Sequence, residues 1–121
     1  MLTAKKVAEY FLSLSDEDLG DMISNSKLQK LMYYVQGFSL VLYGKPFFRE
    51  DIHSYTEGPI VLKIYGEYKQ YGANGIHIPN VDLTKYTNDE KKLMNEVYTE
   101  YGQFAAWKLS KMTQSEDPWK N

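Results

Sequence analysis

The run Lys27-Leu28-Gln29-Lys30-Leu31-Met32-Tyr33-Tyr34-Val35-Gln36-Gly37-Phe38 constrains this chain most. Leu28, Leu31, Met32, Val35, Ser39 and Leu42 fall on one stripe at helical spacing, and Tyr34, Phe38 and Val41 make the remaining face apolar too. A helix that is apolar all round cannot lie on a surface, so it is expected at the centre of a domain. The spacing predicts it from about Ser26 to Tyr43, stopped by Gly44 with Pro46 just beyond. The fold class that follows is mainly α, a compact helical bundle in one domain over residues 1–121, long enough to bury a core without disulfide or metal staples.

The flanking segments supply the partners. Thr3 caps a predicted amphipathic helix reaching about Ser15, with Ala4, Val7, Ala8, Phe11, Leu12 and Leu14 inward and Lys5, Lys6 and Glu9 outward. Residues 15–21 read as a polar loop or short turn. Ile52–Tyr55 reads as a short strand, and Gly58-Pro59 as the start of a helix to about Tyr71, since proline suits a first helical turn. Ile60, Ile64, Tyr68 and Tyr71 would share its face. Gly72–Gly75 is a turn cluster, and Ile76-His77-Ile78 reads as a second strand that could complete a two-stranded β-ribbon. Thr87 and Glu90 fit a capping box for a helix carrying Leu93, Met94, Val97 and Tyr101 and breaking at Gly102. A last short helix over about 103–112, anchored by Phe104, Trp107 and Leu109, precedes a turn at 115–119.

The composition excludes several chemistries. A net charge of -2, from 14 basic and 16 acidic residues, disfavours nucleic-acid binding by charge alone. With no cysteine there is no thiol chemistry, and a reducing, cytoplasmic location is expected. No stretch is long enough to span a membrane and none reads as a signal peptide. The two histidines, His53 and His77, sit in no hydrolase motif. They would approach each other only if the two short strands paired. An enzyme using them with Glu50, Asp51 or Glu57 is the alternative to a binding protein; the expectation is no catalytic residue, no metal and no cofactor. Tyrosine is in surplus at 11 residues, as is common at interfaces. Tyr33, Tyr34, Phe47, Phe48, Tyr55, Glu57, Gly58, Pro59 and Tyr65 are the candidate rim of a groove for a partner peptide. A buried Gln36 would need hydrogen-bond partners, with the backbone of the Gly58-Pro59 turn as the candidate, and Gln36 with Gly37 would allow close helix packing.

The ordered series of Lys27–Lys30, Leu31, Tyr33, Tyr34, Gln36 and Gly37, then Gly44, Pro46 and Phe47, then Gly58, Pro59, Val61, Tyr65, Tyr68, Tyr71 and Gly72, and finally Leu109, Thr113, Glu116, Pro118 and Trp119, resembles the Panacea domain family, from Val7 through Trp119. That family includes phage-associated proteins and antitoxins of the SocA type. The resemblance makes Leu28, Gln29, Lys30, Gln36, Gly37, Gly58, Pro59, Pro118 and Trp119 the structural motif. It implies neutralisation of a cognate toxin by direct contact, in some members with delivery to an ATP-dependent protease. A phage-associated accessory protein that self-associates is the other reading it supports. The chain departs from the family pattern at Ser54-Tyr55-Thr56 and at Gln114, where relatives tend to carry an alanine with a large aromatic and a histidine. Relatives extend beyond the Pro-Trp pair, so a C-terminal element is expected to be missing or supplied by a partner.

Overall fold

A computed structural model describes residues 1–15, 22–56, 58–77 and 80–102. Among them the architecture is mainly helical, with a small two-stranded antiparallel sheet. Helix α1 (Ala4–Ser13) leads to α2 (Asn25–Tyr43), then strands β1 (His53–Tyr55) and β2 (Gly58–Ile60), helix α3 (Leu62–Glu67) and helix α4 (Asn88–Tyr101). Single 3-10 turns lie at Lys69–Tyr71 and Leu83–Lys85.

The long apolar helix is central. α2 packs against α1, α3, α4 and β2, and Leu28, Leu31, Met32 and Val35 have no exposed surface. Burying each such side chain contributes about 1.5–3 kcal/mol. The centrality ends at Ser39: Val41, Leu42 and Tyr43 in the last turn are exposed, so the expected stripe does not continue through Leu42. Gly44 closes the helix in the left-handed conformation, at φ 70°, and returns its N–H to the Leu40 carbonyl. Ser24 caps the other end by accepting from the Lys27 N–H. In α1, Thr3 accepts from the Lys6 N–H, as expected of a cap. In α4 the capping box forms in both directions between Thr87 and Glu90.

Two expectations are corrected. Gly58-Pro59 does not open a helix; it lies in β2, and α3 starts at Leu62. Proline is admitted there because, among the described residues, β2 has a strand partner on one side only, and a proline on an outer edge loses no ladder bond. The ribbon exists, but β1 pairs with β2 rather than with residues 76–78, in the register His53↔Ile60, Ser54↔Pro59 and Tyr55↔Gly58. Ile76 instead docks beside the segment leading into α2, its N–H bonding the Ile23 carbonyl at 2.9 Å. The helix over 103–112 and the closing Thr113, Glu116, Pro118 and Trp119 lie outside the described residues.

Tyrosines with long-range hydrogen bonds lock the helices together. Tyr10 donates to Asn95 Oδ1 at 2.8 Å and Tyr86 to the Lys6 carbonyl at 2.7 Å, with the two rings edge to face at 5.1 Å. Burial, reinforced by the nearby Glu9 and Tyr10, pushes the Tyr86 hydroxyl up to about 12. Lys5 ties α1 to α3 through an ion pair with Glu67, with its ammonium 5.1 Å from the Tyr68 ring centre. Burial alone would lower the Lys5 pKa; the hydrogen bonds to Glu67 and Tyr68 outweigh it and raise it.

Candidate partner-binding cleft

A polar stripe on α2 positions the site. Asn25, Gln29, Gln36 and Ser39 are separated by four, seven and three residues, which places them on one side of a helix. All four are buried. Gln29, Gln36 and Ser39 bond the backbone of the segment between α2 and α3, whose N–H and C=O groups regular structure leaves partly unsatisfied, and Asn25 bonds a carbonyl of α3. Gln36 is the most committed. Its Oε1 accepts from the Phe47 N–H at 2.6 Å and the Phe48 N–H at 3.1 Å, and its Nε2 donates to the Phe48 carbonyl at 3.0 Å. Ser39 donates to the Lys45 carbonyl at 2.8 Å.

Gln29 serves the next stretch. Its Oε1 accepts from the Val61 N–H at 2.7 Å, its Nε2 donates to Asn25 Oδ1 at 3.0 Å, and Asn25 Nδ2 donates to the Tyr65 carbonyl at 2.9 Å. The expected tie from Gln36 to the Gly58-Pro59 turn is therefore replaced. Gln36 reaches Phe47 and Phe48, and Gln29, two turns earlier, secures the restart at Val61. The helical rise explains the exchange: Gln36 lies about 10 Å further along the axis than Gln29.

The loop after α2 is fastened from its other side by the N-terminus. Leu2 forms a parallel bridge with Phe48, the Arg49 N–H bonds the Leu2 carbonyl at 3.3 Å, and Glu50 Oε1 accepts from the Ala4 N–H at 2.8 Å. That carboxylate satisfies one of the donors that the first turn of α1 leaves open, where the helix dipole favours negative charge.

Between this fastened loop, the middle of α2 and the ribbon lies a cleft of about 700 Å³. Tyr33, Phe48, Tyr55, Gly58 and Pro59 line it, together with Gln36 and residues 49–54. Five of the nine candidate rim residues thus come together. Four do not. Tyr34 is 1% exposed and stacks on Tyr101 of α4 at 3.9 Å, so its ring serves the core. Phe47 faces a separate cleft of about 370 Å³ that includes Tyr43, Thr87 and Leu93. Tyr65 is exposed on α3 and does not line the cleft. Glu57 lies outside the described residues.

The expectation of exposed aromatics also changes in detail. Tyr33, Phe47 and Phe48 are buried, whereas Tyr55 is 51% exposed. Tyr33 and Phe48 form part of a wall, and Tyr55 stands at the rim. Arg49 and Ile52 were not among the candidate site residues, and Ser54 stood out only as a departure from the family pattern; their signal is position between two tethered points. Lys30, Gln29 and Leu28 of the motif are buried, as is Gly37.

Among the described residues, no group of three or more His, Asp or Glu side chains is placed to hold a metal ion. His53 and His77 are both exposed, and the strand pairing that would have drawn them together is the one replaced by β1–β2. The arrangement offers Arg49 and Asp51 as charged contacts, the Tyr55 ring as an apolar one, and a backbone frame that is already satisfied on its inner side.

The model of the antitoxin SocA-like Panacea domain matches residues 28–120, a span that contains every residue of the cleft. The chain belongs to this family. The matched span begins at Leu28, so α1 and the segment from Val7 lie ahead of it. No curated protein and no solved structure gives a significant match. Within the Panacea domain, the α2 motif acquires a physical role: Gln29 and Gln36 hold the segment that carries Gly58-Pro59. Gly58 sits at φ 121°, a conformation that side-chain-bearing residues avoid. No helix among the described residues is long and apolar enough to cross a membrane.

Proposed function

We propose that this chain is a cytoplasmic antitoxin domain that neutralises a cognate toxin by binding it at the cleft between α2 and the ribbon, without bond chemistry of its own. One observation carries the reading: in a chain of an antitoxin family, the matched span builds a cleft with an exposed aromatic, Tyr55, at its rim and a tethered backbone beneath. Rigid walls lower the ordering cost of association, and a half-exposed tyrosine is the type of residue that anchors interfaces. Delivery of the bound toxin to an ATP-dependent protease, as the family resemblance implies for some members, would use the same surface.

Co-expression tests it. The reading frame that neighbours this one at its native locus is expressed alone and then with this chain, and surviving colonies are counted. Killing by the neighbour that this chain relieves is the expected result. A harmless neighbour, or killing that persists, removes the reading. A toxin half-life that shortens only when both this chain and the protease are present would assign delivery over simple occlusion.

A further inference from the structure

The two outer edges of the ribbon are not equivalent. In an antiparallel pair, directly opposed residues either exchange both N–H···O bonds or none, and the two kinds alternate. Ser54 opposes Pro59, which has no N–H, so this is the pair that exchanges none. His53 and Tyr55 then turn their N–H and C=O groups toward β2, and Ser54 turns both of its own away from it. Among the described residues no hydrogen bond reaches either group, and all three residues of β1 are exposed. On β2 the residue facing outward is Pro59, which offers no donor. β2 also packs against α2. The ribbon therefore has one edge closed by proline and one edge open at Ser54, the usual template for an added strand.

From this we infer, on the footing of the antitoxin reading, that the toxin docks as an extended segment paired to the outer edge of β1, Ser54 exchanging both backbone bonds with it. The cleft is continuous with this edge, since Ile52, His53, Ser54 and Tyr55 line it. Strand addition supplies affinity through backbone bonds, and flanking side chains supply choice. Glu50 is committed to the Ala4 N–H, so among the described residues Asp51 is the carboxylate the cleft has to offer. The complementary segment is one in β conformation with a basic residue for Asp51, an acidic residue for Arg49 and an apolar residue against Tyr55.

The test uses the full chain and the toxin defined by the co-expression experiment. Ser54→Pro removes the outward N–H and leaves the β1–β2 bonds intact, because Ser54 makes none of them. Ser54→Ala removes the hydroxyl and keeps the N–H. The expected result is that Ser54→Pro weakens toxin binding at least tenfold and loses rescue, while Ser54→Ala, which keeps the N–H, loses far less affinity and still rescues, and both melt as the parent does. Ser54→Pro that folds, binds and rescues normally overturns strand addition and leaves the antitoxin reading standing. Failure of the parent chain to rescue removes both. Should Ser54→Pro misfold, amide exchange on the parent chain decides: residues 52–56 become protected when toxin is added, and unchanged exchange there overturns the inference. A chain that is dimeric by itself and monomeric as Ser54→Pro would give the edge to a second copy and overturn the toxin assignment.

Discussion

Two stretches of the segment between α2 and α3 are built on opposite terms. Residues 45–48 are sewn into the domain by Ser39 and Gln36, with every bond directed inward. Residues 53–55 bond, among the described residues, only to their ribbon partner and are exposed throughout. A buried amide such as Gln36 is costly unless all its groups are matched, so it fixes one conformation of the loop. A strand exposed on one edge makes no such demand on its own chain and is available to another. The span matched to the family thus holds residues that build the frame and, beside them, an exposed stretch of ribbon. Substitutions should separate the two.

The largest effect is expected at Gln36. Gln36→Ala leaves the Phe47 N–H, the Phe48 N–H and the Phe48 carbonyl buried without their partner, and should cost about 3–5 kcal/mol in denaturant unfolding. Loss of less than about 1 kcal/mol would mean that the loop is held by the Leu2 bridge and Glu50 instead. Gln29→Leu comes next: it keeps the volume but strands the Val61 N–H, for about 1–3 kcal/mol, and should loosen the start of α3 as read by amide exchange at residues 61–65.

A smaller effect probes the frame away from the cleft. The Tyr86 hydroxyl is raised to about 12 first by burial and then by Glu9, Tyr10, Glu90 and Asp82. In the unfolded chain it titrates at the ordinary tyrosine value of about 10. Its pKa is higher folded than unfolded, so the stability it contributes is fully present below about pH 10 and is lost as pH rises through about 12. Tyr10 and Tyr68 shift in the same direction, chiefly by burial. The unfolding midpoint should fall across that window, and Tyr86→Phe should flatten the fall while lowering stability at neutral pH through the lost bond to the Lys6 carbonyl.

The elements whose signals are local were legible in the sequence. The caps at Thr3 and Thr87, the Gly44 stop and the central position of α2 each depend on residues within a few positions of one another. Gly58-Pro59 was misread because proline without an N–H fits a first helical turn and an outer strand edge equally well. What separates the two is the Val61 N–H bond to Gln29, a contact across 32 residues. The core position of Tyr34 was hidden for a related reason. A helix apolar on every face does not say which neighbour covers which ring, and it is Tyr101 on α4 that covers Tyr34. The groups that matter at the ribbon edge, the N–H and C=O of Ser54, carry no side-chain signature.

The most direct test of this division is a single rim substitution, Tyr55→Glu, followed by two readings on the same protein. The account predicts a melting temperature within about 2 °C of the parent, because an exposed side chain away from special features contributes within about 0.5 kcal/mol, together with loss of colony rescue in co-expression with the toxin. A variant that melts as the parent and still protects would contradict the claim that the exposed ribbon and its cleft carry the binding.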